Sequence, residues 1–224
     1  MDEQVYYKFM SLDKVERFLD YLAHSYLYGA KYKELNDPFE GRFNSNNLSK
    51  EEKKAIYETL SRTRICSMFK RREGQSFPDD FLMWSFYANS HKGCCLEFTL
   101  TGRYNTEWEI KDIVYDEQMP NASGDLKESI YTILSHKTPQ WKVENEVRAI
   151  RVYKNEDNSH YYHINLKSVY FGLSAESKNT NVLVQIIKAL HPEVSVFKIE
   201  KDRGNRNGYY PSLKRKPLYP LNDD

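Results

Sequence analysis

The chain is poor in the features that most quickly place a protein in a class. Its three cysteines, Cys66, Cys94 and Cys95, have neither an even count nor metal-ligand spacing, so we expect reduced, buried thiols without zinc. Lys and Arg number 33 against 32 Asp and Glu, which excludes a global field directed at nucleic acid or acidic membranes. No apolar run approaches membrane-spanning length, and no signal peptide or internal repeat is visible. These absences predict a cytoplasmic protein without a membrane partner.

Aromatic residues are abundant by contrast. The mean hydropathy of −0.77 is low, yet 40% of the residues are hydrophobic and 14% are aromatic, including 18 tyrosines. Amphipathic rings therefore supply much of the apolar area that a core needs. Disordered chains are usually poor in aromatic residues, so this one should fold.

Strand and helix patterns alternate without a steady βαβ rhythm, which indicates an α+β fold. Strands are predicted near 5–10, 64–70, 94–100, 109–115, 143–152 and 194–200, and helices near 11–27, 49–62, 79–93, 123–136 and 178–191. We expect a single α+β domain over 1–204, with a split or bent, mostly antiparallel sheet flanked by helices. Residues 205–224 are predicted to form a turn-rich C-terminal tail.

The stretch LNDPFEG, residues 35–41, has two interpretations. Asn36 and Asp37 before Pro38 make a strong turn signal, because a residue preceding proline is pushed out of the helical region. Asp37 and Glu40 could also present carboxylates to a ligand. The sequence leaves open which role this loop has.

The stretch LMWSFYANSHKG, residues 82–93, is predicted to lie on a helix. Trp84, Tyr87 and His91 then follow at spacings of three and four residues and share one face. That face could stack a planar ring beside an imidazole. It could equally be an aromatic stripe directed at the core, with the histidine closing the helix beside Gly93.

The stretch QWKVENEVRAI, residues 140–150, is predicted to be a strand. Period-two alternation puts Glu144, Glu146 and Arg148 on one face, and Trp141 before them can form a wall. Arg148 can pair with Glu146 and keep its carboxylate ionised. A solvated charged face is the alternative.

Several motifs together resemble a known family. They are YYKFMSL at the start, LNDPFEG, LMWSFYANSHKGCCLEF, VYD at 114–116, the spaced K, W, E, E and R of 137–148, and VYFGLSA at 169–175. In this order they resemble the bacterial family called domain of unknown function 2971, from about residue 6 to residue 200. That name implies no activity.

A more distant resemblance is to the ADP-ribosyltransferase superfamily, through the order of strands and the late Glu-x-Glu. It implies an enzyme that binds NAD between two small antiparallel sheets and transfers ADP-ribose to an unknown macromolecule, protein or nucleic acid, or cleaves NAD. Glu146 would then stabilise the oxocarbenium-like transition state, and Glu144 would orient the acceptor. NAD would be the substrate, and no metal is expected.

The same resemblance implies which side chains contact NAD. On the first strand, Tyr7 or Lys8 would lie on the adenosine side of NAD. In the aromatic stretch, Trp84 or Tyr87 would stack on the nicotinamide. His91 and Arg148 would also contact NAD. The chain departs from the superfamily in having no Ser-Thr-Ser strand and no histidine or arginine on its first strand.

Two other functions are compatible with the sequence. One is a magnesium-dependent nuclease or phosphodiesterase, in which Lys137 or Arg148 neutralises a phosphate. Its oxygen ligands would be Asp37, Glu40, Glu144 and Glu146. The other is a non-catalytic nucleotide- or peptide-binding module, with the basic segment LKRKPL as an interaction element.

Overall fold

The computed structural model describes residues 4–102, 105–122, 125–154, 160–202 and 212–219. The strands in chain order are β1 Val5–Met10, β2 Tyr26–Tyr28, β3 Thr63–Lys70, β4 Cys94–Leu100, β5 Glu109–Asp112, β6 Val114–Tyr115, β7 His136–Lys137, β8 Glu146–Val152, β9 Tyr161–Phe171, β10 Ser195–Lys201 and β11 Leu213–Tyr219. The α-helices are α1 Val15–His24, α2 Lys50–Ser61, α3 Phe81–Tyr87, α4 Leu126–Leu134 and α5 Ser177–Leu190, and Tyr32–Glu34 and Pro139–Glu144 are 3-10 helices. Among these described helices, none combines the length and apolar character that crossing a membrane requires.

The predicted fold class is confirmed, because the chain is α+β with mostly antiparallel strand pairing. By residue contacts the chain divides into two compact units, and each is described by itself. Unit 1 comprises Met1–Tyr26, Lys70–Leu100 and Ile164–Asp224, and unit 2 comprises Leu27–Phe69 and Thr101–His163. A single domain over 1–204 stays a prediction.

Unit 1 is built on the strand order β11, β10, β9, β4, β1. All of these neighbours are antiparallel except β10 and β9, which run parallel. The helix α5 between β9 and β10 provides the crossover that a parallel pair needs. Leu213–Tyr219, within the range predicted as a turn-rich tail, is the strand β11 paired with β10.

Unit 2 contains the antiparallel strands β3, β8 and β5 in that order. Helix α2 begins with a capping box, in which the Ser49 hydroxyl accepts from the Glu52 backbone N–H and the Glu52 carboxylate accepts from the Ser49 N–H. Apolar side chains from α2, the segment before it, α4 and these strands form the core of the unit: Phe43, Ile56, Leu60, Ile65, Ile130, Tyr131, Ile133, Leu134 and Ile150.

The cysteines agree with their prediction. Cys66 is buried in unit 2, and Cys94 and Cys95 are buried in unit 1. All three are free thiols. Burial raises the pKa of Cys94 and of Cys95, which keeps both thiols protonated and chemically quiet.

The predicted strand over 140–150 is wrong in its first half. Residues Pro139–Glu144 form a 3-10 helix, and the strand β8 begins only at Glu146. Pro139 lacks a backbone N–H and has a φ suited to the first helical turn. Asn145 adopts the left-handed conformation with φ 49°, which turns the chain from the helix into the strand. Glu144 and Glu146 therefore do not lie on one strand face.

The predicted helix over 79–93 is too long at its C-terminal end. Helix α3 ends at Tyr87, and Asn89, Ser90 and His91 all have left-handed φ angles of 45°, 53° and 67°. His91 is therefore not part of the helical face that carries Trp84. Close backbone contacts constrain this turn, because a Cβ on Gly93 would lie 2.1 Å from the Met10 carbonyl oxygen.

Candidate functional site

The residues predicted to act on NAD are divided between the two units. Glu144, Glu146 and Arg148 belong to unit 2. Unit 1 contains Tyr7, Lys8, Trp84, Tyr87 and His91. A common site for all of them stays a prediction.

Arg148 is the centre of a buried ion network in unit 2. Its guanidinium donates to both carboxylate oxygens of Glu40, at 2.6 and 2.8 Å, and its Nε donates to Glu146 at 2.8 Å. A further bond at 2.6 Å reaches the backbone carbonyl of Leu134 at the end of α4. The Arg148 side chain is 1% exposed. This network joins the LNDPFEG loop to the strand β8.

Lys137 forms the other half of the network. Its ammonium nitrogen lies 2.7 Å from a Glu144 oxygen and 2.6 Å from the second Glu146 oxygen, which also accepts from Arg148 at 3.5 Å. The indole of Trp141 lies beneath it, with 5.0 Å between the nitrogen and the ring centroid. The 3-10 helix thus brings Trp141 and Glu144 to Lys137, although the two glutamates do not share a strand face.

The opposite charges in this network keep Glu146 and Arg148 ionised. Burial alone would raise the pKa of Glu146, but Arg148 and then Lys137 outweigh it and lower that pKa to about 2. Burial would lower the pKa of Arg148, whereas Glu146 and Glu40 raise it. Both carboxylate oxygens of Glu146 are bound by cations, so its main observable task is to hold Lys137 and Arg148 in place.

A cavity of about 250 Å³ adjoins this network in unit 2. Its lining comes from the LNDPFEG loop, the segment after β6 and the strand β7: Asp37, Phe39, Arg42, Asp116, Glu117, Gln118, Met119, Pro120, His136, Lys137 and Thr138. Lys137 therefore belongs both to the ion network and to the lining of the cavity.

Hydrogen-bond acceptors dominate the polar groups of this cavity. Asp37 is buried, and one of its oxygens accepts from the Phe39 backbone N–H at 2.8 Å. Asp116 and Glu117 also line it. In neutral His136 the Nδ1–H donates to the Thr132 carbonyl at 2.7 Å, which leaves Nε2 as an acceptor. The cavity suits a ligand that donates hydrogen bonds or carries positive charge.

The rim of the cavity is apolar. Phe39 is 58% exposed and Met119 is 57% exposed, and both line the cavity. The guanidinium of Arg42 lies over the Phe39 ring, 5.8 Å from its centroid. Exposed large apolar side chains beside a polar recess are typical of a ligand-binding site.

Trp84 is not on a pocket wall, contrary to its predicted role. It is fully buried in unit 1, its indole N–H donates to the Pro78 carbonyl at 2.6 Å, and its ring packs edge-on against Phe9. His91 stacks on the same ring, with centroids 6.2 Å apart. Trp84 is therefore part of the core, and the exposed face of α3 consists of other residues.

Lys8 and Tyr87 line a second cavity, of about 350 Å³, in unit 1. Tyr87 is half-buried there, between the ends of β1 and α1. Tyr7, on the opposite face of β1, is buried and accepts a hydrogen bond from Arg71. Arg71 and Glu97, both near Tyr7, were missed in the sequence because no local pattern links a loop arginine to a strand glutamate 26 positions away.

The metal ligands of the nuclease alternative are engaged elsewhere. Glu40, Glu144 and Glu146 are bound to Arg148 or Lys137, and Asp37 holds the turn of its own loop. Across the described parts of the chain, no group of three or more His, Cys, Asp or Glu side chains is arranged to hold a metal ion.

Comparisons with protein-family models, with curated proteins and with solved structures found no match to this chain. The resemblances to domain of unknown function 2971 and to the ADP-ribosyltransferases stay predictions.

The ion network predicts that acid weakens the fold. The pKa of Glu146 lies near 2 in the folded protein, below its ordinary value of 4.5, so its charge stabilises the fold fully above pH 4.5. That contribution should be lost as the pH falls from about 4.5 toward 2. Urea midpoints measured at pH 7, 5, 4 and 3 should decline mainly below pH 5. The variant Glu58→Gln, which removes an exposed carboxylate, should show the same profile. A midpoint that stays constant from pH 5 to pH 3 would contradict the prediction.

Proposed function

We propose that the protein is an NAD-consuming enzyme that binds the nicotinamide half of NAD⁺ in the unit 2 cavity. The observation that carries the proposal is an acceptor-rich cavity with an aromatic rim. Asp37, Asp116 and Glu117 outnumber Arg42 and Lys137 in its lining, and Lys137 is already neutralised by Glu144 and Glu146. A nicotinamide ring attached to ribose is a cation with an amide that donates hydrogen bonds.

The rim provides a surface for such a ring. The exposed Phe39 ring offers the electron-rich face that attracts a cation, and the Met119 thioether packs well against aromatic rings. A cavity of about 250 Å³ fits one ring and part of its ribose, and the rest of the dinucleotide would lie outside it.

The chemistry would use the carboxylate of Asp37. As the bond between nicotinamide and ribose breaks, its electron pair goes to the ring, which leaves as neutral nicotinamide, and positive charge develops on the ribose. A fixed negative charge nearby stabilises that charge. Water, or a nucleophile on a protein or nucleic acid, then bonds to the ribose carbon and releases a proton, for which the His136 Nε2 is an available acceptor.

This proposal gives Glu146 and Glu144 a different task from the predicted one. They hold Lys137, a residue that lines the cavity, rather than contacting the ribose directly. The free, buried cysteines fit a reducing compartment, so we place the reaction in the cytoplasm.

The test compares NAD⁺ with NADH, which has the same size but a neutral nicotinamide ring. Calorimetric titration of the wild type should show that NADH binds at least about ten-fold more weakly than NAD⁺. The neutral ring of NADH lacks the charge that the aromatic rim and the carboxylates attract. Asp37→Asn keeps an oxygen that can accept from the Phe39 N–H but removes the charge. It should slow nicotinamide release, followed by chromatography, by about a hundred- to a thousand-fold.

The matched control is Glu58→Gln, which removes an exposed carboxylate of α2 that does not line the cavity. It should release nicotinamide at the wild-type rate. Equal affinity for NAD⁺ and NADH, or no binding of either, would overturn the proposed ligand. Binding of NAD⁺ without any nicotinamide release would leave a non-catalytic nucleotide-binding module.

A further inference from the structure

A second polar cluster lies in unit 1, around Glu97 on β4. One Glu97 oxygen accepts from Arg71 at 2.6 Å and from the Tyr170 hydroxyl at 3.1 Å, and the other accepts from the Ser168 hydroxyl at 3.1 Å. Arg71 also donates through its Nε to the Tyr7 hydroxyl at 3.0 Å. Neither the proposed NAD reaction nor the core of the unit requires this arrangement.

The buried members of the cluster hold their protons firmly. Burial, and next the charge of Glu97, raises the pKa of Tyr7 and of Tyr170 above the ordinary tyrosine range. Both hydroxyls therefore remain neutral at physiological pH. Three strands, β1, β4 and β9, contribute these groups, so the cluster is fixed by strand register, with Tyr7 opposite Glu97.

Two guanidinium groups lie at the open edge of this cluster. The side chain of Arg71 is 30% exposed. Its partner Glu97 also accepts from the Tyr170 hydroxyl, and Arg215 on β11 has a guanidinium nitrogen 3.5 Å from that hydroxyl oxygen. Arg215 is exposed, stacks on Phe197 at 4.9 Å and donates to the Ser76 carbonyl at 3.3 Å.

Among the contacts made within the described parts of the chain, both arginines retain N–H donors for a ligand. A guanidinium has five N–H donors. The contacts above use the Nε and one terminal nitrogen of Arg71, and one terminal nitrogen of Arg215. The two positive charges exceed the single charge of Glu97 by one. The pair is also held in place, Arg71 by Glu97 and Tyr7, and Arg215 by Phe197. Fixed arginines with free donors are what recognition of phosphate oxygens requires.

We propose that Arg71 and Arg215 form a binding site for the diphosphate group of a small molecule. A diphosphate consists of two phosphates joined through one oxygen, so each phosphate can present its own oxygens to one guanidinium group. A single phosphate has fewer oxygens to share between the two arginines. A nucleic acid would require a longer track of cations, whereas the net charge of the chain is only +1.

The experiment is a calorimetric titration of the full chain with inorganic pyrophosphate and, separately, with orthophosphate. The wild type should bind pyrophosphate more tightly than orthophosphate. Arg215→Gln removes one guanidinium from an exposed position and should weaken pyrophosphate binding by about ten- to a hundred-fold. Arg71→Lys keeps the charge but loses the planar fork, and should weaken it as well.

The matched control is Lys216→Gln on the same strand. Successive strand residues point to opposite faces, so Lys216 faces away from Arg215 and pairs with Glu200 at 3.8 Å. It removes the same charge and should leave pyrophosphate binding unchanged. Equal weakening by both variants, or no pyrophosphate binding by the wild type, would overturn the proposal. So would tighter binding of a short single-stranded oligonucleotide than of pyrophosphate.

This site does not depend on the proposed reaction. Pyrophosphate contains no nicotinamide, so Asp37→Asn should bind it as the wild type does. Equal affinity for NAD⁺ and NADH with retained pyrophosphate binding would refute the proposed function alone. Tighter binding of NAD⁺ than of NADH, without pyrophosphate binding, would refute the diphosphate site alone.

Discussion

Arg148→Met should lower the free energy of unfolding by about 3–5 kcal/mol. Methionine replaces the unbranched stem of arginine and fits an apolar environment, so most of the loss comes from the partners that remain. Glu40 and Glu146 would lose their guanidinium while their side chains stay 3% and 2% exposed. The Leu134 carbonyl would lose its donor too. Urea unfolding followed by circular dichroism measures the change.

Arg151→Met is the matched control for this prediction. Arg151 lies on the same strand, but its partner Glu107 has a side chain that is 69% exposed, so the pair is screened by water. Its loss should cost less than about 1 kcal/mol. A similar loss of unfolding free energy in the two variants would show that the buried network stabilises the fold no more than an exposed ion pair does.

A triple variant tests whether the cost of Arg148→Met comes from the carboxylates that it leaves without their guanidinium. Glu40→Gln and Glu146→Gln, added to Arg148→Met, remove the two carboxylates that the single change leaves uncompensated. The triple variant should be more stable than Arg148→Met alone, because it removes the two buried carboxylates that lost their guanidinium and leaves Lys137 paired with Glu144. A triple variant less stable than the single one would mean that the carboxylates stabilise the fold through other contacts.

Trp84→Ala should lower the free energy of unfolding by about 3–5 kcal/mol, which is typical of a large aromatic side chain removed from a core. Trp84 is fully buried, packs against Phe9 at 5.2 Å and donates to the Pro78 carbonyl. The change would leave a cavity and an unpaired carbonyl. Thermal and urea unfolding both measure it.

Phe86→Ala on the same helix is the control. Phe86 is 59% exposed, so its removal should change the stability by less than about 0.5 kcal/mol. A small effect of Trp84→Ala, comparable to that of Phe86→Ala, would instead support the predicted position of Trp84 on an open pocket wall.

Most regular elements could be predicted from local pattern. The strand periodicity of 5–10 and 94–100 defines β1 and β4 with the same bounds, and the helical periodicity of 178–191 defines α5 within one residue. Where the prediction was wrong, a single backbone conformation decided the outcome. The left-handed Asn145 and the three left-handed residues Asn89, Ser90 and His91 end elements that side-chain periodicity alone would continue.

The candidate sites were only partly accessible from the sequence. The residues Glu40, Lys137, Glu146 and Arg148 could be selected by type, and the pairing of Arg148 with Glu146, two positions apart, was predicted. The pairing of Arg148 with Glu40 was not, because 108 positions separate them and no spacing rule connects a loop to a strand at that distance.

The amino-acid sequence by itself determined the α+β class, the near-neutral charge and the buried free thiols, because these follow from composition and short-range periodicity. The tertiary structure decided which charged residues became partners and which remained available to a ligand. Glu146 was selected as a catalytic carboxylate, yet folding placed two cations against it and left Asp37 on the cavity wall instead. Burial and the distance between opposite charges determine what a carboxylate can do, and both depend on segments far apart in the chain.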